Sequence, residues 1–475
     1  MKLTRSIIFF IILMISGLVY GDSGQSFETG KIINRVLTLS DPAQSYALYL
    51  PSAYTPDQNW PLLFCFDPGA RSEIPLNLFK NVAEKHGYMV VCSNNLKNGP
   101  WPPVFKALKA TWVDVLNRFS IDFNRIYTAG FSGGARAAAA FPHITGAKVT
   151  AIIACGAGLP PAVKAAQIKP AFYHGIVGVE DYNYKEFVRL GRELKEAGVD
   201  SVIEVINNGH SWPPENICSQ AIEAAEIRAM KKGLREKDID LVEMVFNQTL
   251  ERARQLETTL NIYFAAKYCM SRQRLFRNLI DTGPIDEKIM QLKATRDFNK
   301  FQREEEKRNR TELEYIQRFL GVFTRIKNYE QKRVDLRKIS SQLDLHNLVR
   351  EAAKKQNKFQ SAMAKRLIDE LVSKGNSEGH YYLKKHDFTR AVIFFETAAK
   401  AKKTGIRAFY NLACTYSLQN RKKEAIENLK IAIKNLLEGG HKDFSFLEKD
   451  KDLAFIRDEK EFQNLLKQLG SKPKR

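Results

Sequence analysis

The chain has 475 residues, 27% of them charged, and a formal charge of +21; that length exceeds one ordinary core, so two or three domains are expected. The charge is uneven: residues 1–233 hold 23 basic against 19 acidic side chains, and residues 234–475 hold 51 against 34. Any anionic counterpart therefore belongs to the second half, where solvated lysine-rich helices are the plainer explanation. Lys2 and Arg5 precede an apolar run, Ile7–Val19, and Val19-Tyr20-Gly21 offers small residues at a cleavage point. Residues 1–21 thus read as a secretory leader cut after Gly21, with export to the periplasm or beyond the cell. For an exported chain, anionic lipid, polysaccharide or an acidic protein suits the basic half better than nucleic acid.

From about residue 30 to 233, short apolar runs alternate with helical patterns. Strands are predicted at Ile32–Leu37, Tyr46–Leu50, Pro61–Phe66, Tyr88–Cys92, Arg125–Gly130, Val149–Cys155, Ala171–Val177 and Ser201–Ile206. Helices fill Leu76–His86, Val104–Phe119, Gly133–Phe141, Tyr184–Ala197 and Pro214–Lys231. Continuous apolar strands separated by such helices imply an α/β fold, a mostly parallel sheet covered on both faces. The first two runs have no helix between them and are expected to form an antiparallel hairpin at one edge. Cys65, Cys92 and Cys155 lie inside apolar runs, and the spacing of the six cysteines fits no zinc site, so buried free thiols are expected.

Within this region Gly130-Phe131-Ser132-Gly133-Gly134 matches G-x-S-x-G, after a strand and before a helix. Such a turn strains the serine backbone and leaves no room for side chains two residues to either side. The hydroxyl then stands at a helix N-terminus that favours developing negative charge. A serine needs a base, and the base an orienting acid, each after a later strand. AFYHGIVGVEDYNY supplies Asp181, and SVIEVINNGHSWPP supplies His210. Glu180 competes with Asp181 as the acid; His174, inside its strand, reads as structural, and His143 comes too early in the order.

By these residues the first region resembles the α/β-hydrolase superfamily. YLPSAY, PLLFCFDPG, AGFSGGA and GHSWPP make it similar to the feruloyl esterase and polyhydroxybutyrate depolymerase group of secreted esterases. The resemblance implies hydrolysis of a carboxylic ester through an acyl-enzyme, and since no insertion long enough for a large lid interrupts this region, an open site for a small or polymer-attached ester is expected. Ser132 would attack, His210 would move the proton and Asp181 would steady the imidazolium; no metal or organic cofactor is needed. Related esterases carry His-Gly after the third strand to help hold the oxyanion. This chain has Asp67-Pro68-Gly69-Ala70-Arg71. Proline has no amide hydrogen, so the donors expected are the amides of Gly133 and of Gly69 or Ala70. Asp67 and Arg71 are expected to pair, the alternative being an Arg71 that meets an acidic substrate. Phe131, Trp101 and Trp212 are candidate pocket residues, the two tryptophans serving equally well as loop anchors.

Beyond Gly233 the strand signal stops. Residues 239–372 form a helical region: a continuous helical stripe over 239–271, a boundary at Gly283-Pro284, and a further pattern broken by the polar QREEEKRNRTE at 302–312. Over 376–470, Gly379/Ala413, Tyr382/Tyr416, Ala391/Ala425, Phe395/Leu429 and Ala398/Ala432 are each 34 residues apart. AFYNLACTYSLQNRKKEAIENLKIAI resembles a tetratricopeptide repeat. That resemblance implies paired helices that bind a protein partner. Two other readings stay open: a serine peptidase of the prolyl-oligopeptidase type, and an idle hydrolase domain on a binding scaffold.

Overall fold

The computed structural model describes residues 18–20, 26–328, 336–441 and 443–469. The chain divides into two compact units, Met1–Phe301 and Gln302–Arg475. The leader and its cleavage point lie outside the described residues except for β1 (Leu18–Tyr20), which pairs antiparallel with β2 (Ser26–Glu28).

The first unit holds an eight-stranded sheet. Its strands are β3 (Ile32–Leu37), β4 (Ser45–Tyr49), β5 (Trp60–Phe66), β6 (Met89–Ser93), β7 (Ile121–Phe131), β8 (Ala151–Cys155), β9 (Phe172–Gly178) and β10 (Ser201–Ile206). Their order across the sheet is β10-β9-β8-β7-β5-β6-β4-β3. Only β4 runs against its neighbours β3 and β6; every other pairing is parallel. A parallel strand needs a crossover; helices α1 (Glu73–His86), α2 (Trp101–Arg118), α3 (Gly133–Thr145) and α4 (Tyr184–Glu196) lie in four of these connections, and α5 (Glu215–Lys231) follows the last strand, β10. This is an α/β-hydrolase fold.

Strands β5, β6, β8 and β9 are buried along their whole length, which is why they read as unbroken apolar runs. Phe64, Phe66, Trp112 and Phe141 pack ring against ring between the sheet and the helices α2 and α3. All six cysteines are buried and unpaired, and burial pushes the Cys65 and Cys155 thiols well up.

The stripe expected as one helix over 239–271 is two, α6 (Ile239–Thr259) and α7 (Ile262–Phe276). Asn261 leaves the helical region and caps α7, its side chain accepting from the Phe264 amide at 3.1 Å. Gly283-Pro284 opens α8 (Gly283–Ala294), with proline in the first turn where its missing amide hydrogen costs nothing. Helices α6 and α7 pack on α5 and β10, so the 239–372 stretch contributes to both compact units.

Against expectation, 302–312 does not interrupt a helix. It lies inside α9 (Arg296–Lys327). The run contains no glycine or proline, and its charges pair at helical spacing, Arg308 with Glu305 at 3.1 Å and with Glu304 at 3.5 Å. In the second unit Glu312 also holds Arg366 by two hydrogen bonds, with both side chains buried. There follow α10 (Leu336–Gln342), α11 (Leu345–Ala353), α12 (Lys358–Lys384), α13 (Phe388–Ala401), α14 (Ile406–Leu418), α15 (Lys422–Glu438), α16 (Phe446–Lys449) and α17 (Lys460–Gln468). The residues 34 apart fall at matching places in α12–α13 and α14–α15. Gly379 is small for a reason: a Cβ there would stand 2.5 Å from the Phe395 ring. No helix among the described residues is long and apolar enough to cross a membrane.

Candidate active site

Three loops at the carboxyl ends of β7, β9 and β10 meet over the sheet. Strand β7 ends at Phe131, and Ser132 turns the chain into α3 with φ 53° and ψ −120°. That left-handed conformation strains a residue with a side chain. It persists because its neighbours leave nothing else: a Cβ on Gly130 would lie 2.1 Å from the Gly134 carbonyl oxygen, and one on Gly134 would lie 2.1 Å from that of Phe66. The Ser132 amide donates to the Cys155 carbonyl at 2.8 Å and ties the turn to β8.

Asp181 sits in the turn after β9, wholly buried. Its amide donates to the Gly178 carbonyl at 3.1 Å, and Asn183 donates its own amide to Asp181 Oδ1 at 2.8 Å. Burial pushes the Asp181 carboxyl above its ordinary value, and the hydrogen bond and charge of His210 offset this only in part. Gly178 lets the histidine loop close over the end of β9, since a Cβ there would lie 2.3 Å from the Asn208 carbonyl oxygen.

His210 spans the gap. Its Nδ1 lies 2.9 Å from both carboxylate oxygens of Asp181, and its Nε2 lies 3.0 Å from Ser132 Oγ. A carboxylate only accepts, so Nδ1 carries the hydrogen and Nε2 presents a lone pair to the serine. Glu180, the rival acid, is not the residue at Nδ1. His174 is buried in β9 beside Glu204 at 3.8 Å, and His143 is exposed in the last turn of α3.

Asp67, at the end of β5, is fully buried beneath this group. Arg71 donates to it from Nε at 2.9 Å and from Nη2 at 3.1 Å, and Trp212 donates its indole hydrogen at 2.9 Å. Burial alone would raise the Asp67 carboxyl; the hydrogen bonds from Arg71, Trp212 and Gly69 overcome it and hold the group below its usual range. Trp212 therefore anchors the histidine loop to the β5 loop, and its ring lies 5.7 Å from Phe131, which in turn packs 4.7 Å from His210. Trp101 opens α2, and its ring partner is Phe105, 5.5 Å away and one turn along.

Of the expected oxyanion donors, Gly69 and Ala70 need correction. The Gly69 amide donates to Asp67 Oδ1 at 2.8 Å and the Ala70 amide to the Asp67 carbonyl at 3.1 Å. Both are engaged inside the Asp67–Arg71 turn, the Gly69 amide by the buried carboxylate and the Ala70 amide by the main-chain carbonyl of the same residue. What stands beside Gly133 instead is Asn98: a Cβ on Gly133 would lie 1.7 Å from its Oδ1 and 3.4 Å from its Nδ2. Asn98 is held there by its amide, which donates to the Pro68 carbonyl at 2.8 Å, and by the bridge between Lys97 and Gly69. Tyr182 is a second unforeseen neighbour, with its hydroxyl 2.9 Å from His210 Nε2. Only its place next to Asp181 hinted at it.

One turn into α3, Arg136 binds Glu186 and the Leu159 carbonyl, next to a cavity of about 410 Å³ lined by Leu159, Pro160, Val163 and Leu190. In the second unit, Cys414, Asp450 and Asp452 bring possible metal-ligand atoms within 4.8 Å of one another. Asp450 there already accepts from Tyr410 at 2.5 Å and from Cys414 at 3.9 Å.

No protein-family model matches the chain. Among solved structures it is similar to a ferulic acid esterase, 15% identical with a TM-score of 0.34, over 40% of this chain and 95% of that one. It is also similar to an esterase from the archaeon Pyrobaculum calidifontis, at 15% identity and a TM-score of 0.33, over 42% and 84% of the two chains. An S-formylglutathione hydrolase from Staphylococcus aureus aligns at 13% identity with a TM-score of 0.33, over 43% and 98%. A curated relative, a chloroplast protein of Arabidopsis thaliana, is 34% identical over 94 residues, 19% of this chain. The chain spans about a quarter of that relative's length, 27%.

Proposed function

We propose that the protein is an exported serine hydrolase that cleaves carboxylic esters through an acyl-enzyme, with a C-terminal tetratricopeptide-like region that binds a protein partner or an anionic surface. The observation that carries the enzymatic part is the chain of contacts Asp181–His210–Ser132, at 2.9 and 3.0 Å, ending on a serine in a strained turn. Ser132 Oγ attacks the ester carbonyl as His210 Nε2 takes its proton, and the imidazolium is steadied by Asp181. The carbon–oxygen bond to the alcohol then breaks as Nε2 returns that proton to the leaving oxygen. Water repeats the sequence and frees the acid.

The developing oxyanion is stabilised by the Gly133 amide at the start of α3, with the Asn98 carboxamide as the second donor once it turns so that Nδ2 rather than Oδ1 faces the site. A side-chain amide there takes the place of the backbone donors that the Asp67 turn engages. The 34-residue spacing and the closeness of α12 to α13 at Gly379 support the tetratricopeptide reading, and the charge of the second half supports an anionic partner. Export rests on the sequence of residues 1–21 alone.

A panel of short acyl esters, feruloyl esters and peptides, run on wild type and Ser132→Ala, tests the reading. Ester turnover lost in the variant is expected. Peptide cleavage without ester cleavage would make it a peptidase, and no turnover by a folded protein would leave a scaffold.

A further inference from the structure

His210 offers one lone pair at Nε2, and two hydroxyls stand within hydrogen-bond reach of it. Ser132 Oγ lies at 3.0 Å and Tyr182 Oη at 2.9 Å. Because Nδ1–H is directed at Asp181, Nε2 accepts one strong hydrogen bond at a time. The phenol is the more acidic of the two hydroxyls and hence the better donor. Its ring lies against the imidazole, with centroids 4.2 Å apart and planes 38° from parallel. Its backbone is fixed by the turn in which the Tyr184 amide donates to the Asp181 carbonyl at 2.8 Å.

The position of that hydroxyl matters for the chemistry. When the ester carbon–oxygen bond breaks, Nε2–H must hand its proton to the leaving oxygen, which has to come within about 3 Å of Nε2. Tyr182 Oη already occupies a place at that distance.

We propose that Tyr182 is a positioning residue that caps the base of the resting protein: its hydroxyl holds the site of the leaving oxygen at His210 Nε2 and withdraws when an ester takes that place. The proposal rests on the reading of Ser132 and His210 as nucleophile and base. It implies that part of the binding energy of every substrate goes into displacing the tyrosine hydroxyl. Esters whose alcohol carries a hydrogen-bonding or aromatic group near the leaving oxygen, able to engage the displaced phenol, are favoured over plain alkyl esters.

The test compares full-length wild type with Tyr182→Phe, which keeps the ring and removes the hydroxyl. The second-order rate of labelling by a fluorophosphonate is expected to rise roughly threefold to tenfold, the worth of one neutral hydrogen bond. With a short acyl ester KM should fall by a similar factor while kcat stays within about twofold, since the bond is lost on binding rather than during the chemical step. A variant that is merely loosened does not speed up. Thermal unfolding checks that it is folded, and Tyr182→Leu provides a second variant without the hydroxyl in which the same direction is expected. Labelling that is unchanged or slower in folded variants, or a lower kcat at constant KM, overturns the proposal. Wild type that resists labelling overturns the reading of Ser132 instead, so the two failures are distinct.

Discussion

Replacing Asp181 by asparagine changes one atom and should disable the site. In the wild type, Oδ1 accepts from the Asn183 amide at 2.8 Å while both oxygens face His210 Nδ1 at 2.9 Å. In Asp181→Asn the carbonyl oxygen stays with the Asn183 amide, because the alternative sets two donors against each other. The new NH₂ group then faces Nδ1 and forces it to accept, which moves the imidazole hydrogen to Nε2. Ser132 now meets a donor where it needs a base. Loss of the correct tautomer in such a triad lowers the rate about 10³–10⁴-fold, roughly 4–5.5 kcal/mol on the barrier. Stability should move differently. The Asp181 carboxyl is raised in the folded protein, so the stability it contributes is present below its unfolded value and is lost as pH rises through the folded one. A neutral asparagine avoids that loss, and the variant should unfold at neutral pH no earlier than wild type. Fluorophosphonate labelling and hydrolysis of a short-chain nitrophenyl ester measure the first effect, and calorimetry the second. A folded variant within tenfold of wild-type activity would refute the account.

Removing the carboxamide in Asn98→Ala should lower kcat about 10²-fold with little change in KM, as for the loss of one oxyanion donor; a change confined to KM would argue against that role. His174 is buried, and burial, reinforced by Arg272, holds its imidazole below the ordinary value near 6.5 against the opposing pull of Glu204. The stability this contributes is present above that ordinary value and is lost as pH falls through the lowered one. Urea midpoints of the full-length protein should therefore drop as pH falls below about 6.5, and the drop should be shallower in His174→Gln; parallel profiles would exclude His174 as its source. Arg366→Leu strands the buried Glu312 carboxylate and should cost about 3–5 kcal/mol, most of it recovered when Glu312→Leu is added. Equal losses in the single and double variants, by thermal unfolding, would contradict the pairing.

The sheet was legible because its strands are buried on both faces: LLFCF, MVVCS and AIIAC cannot sit anywhere but inside. The turn at Ser132 was legible because only glycine fits beside it, a constraint imposed by backbone atoms that every sequence shares. The meeting of Ser132, Asp181 and His210 followed from the register of strands whose carboxyl ends lie along one rim. Elsewhere the outcome depended on contacts between distant residues. The break at Asn261 is a capping hydrogen bond, invisible within an otherwise continuous apolar stripe. The helix through 302–312 relies on ion pairs that a polarity count reads as a loop. The commitment of the Gly69 amide depends on how the Asp67 carboxylate is buried and that of the Ala70 amide on the turn that follows it, and the places of Asn98 and Tyr182 depend on loops folding over the sheet from far along the chain.

The central claim is that the hydroxyl at position 132 is an activated nucleophile. Intact mass and peptide mapping after brief exposure to a fluorophosphonate test it directly. One adduct per chain on the peptide containing Ser132, absent in Ser132→Ala and strongly slowed in His210→Gln, is the predicted result. A folded wild type with no adduct, or one carrying the adduct on another residue, would contradict it.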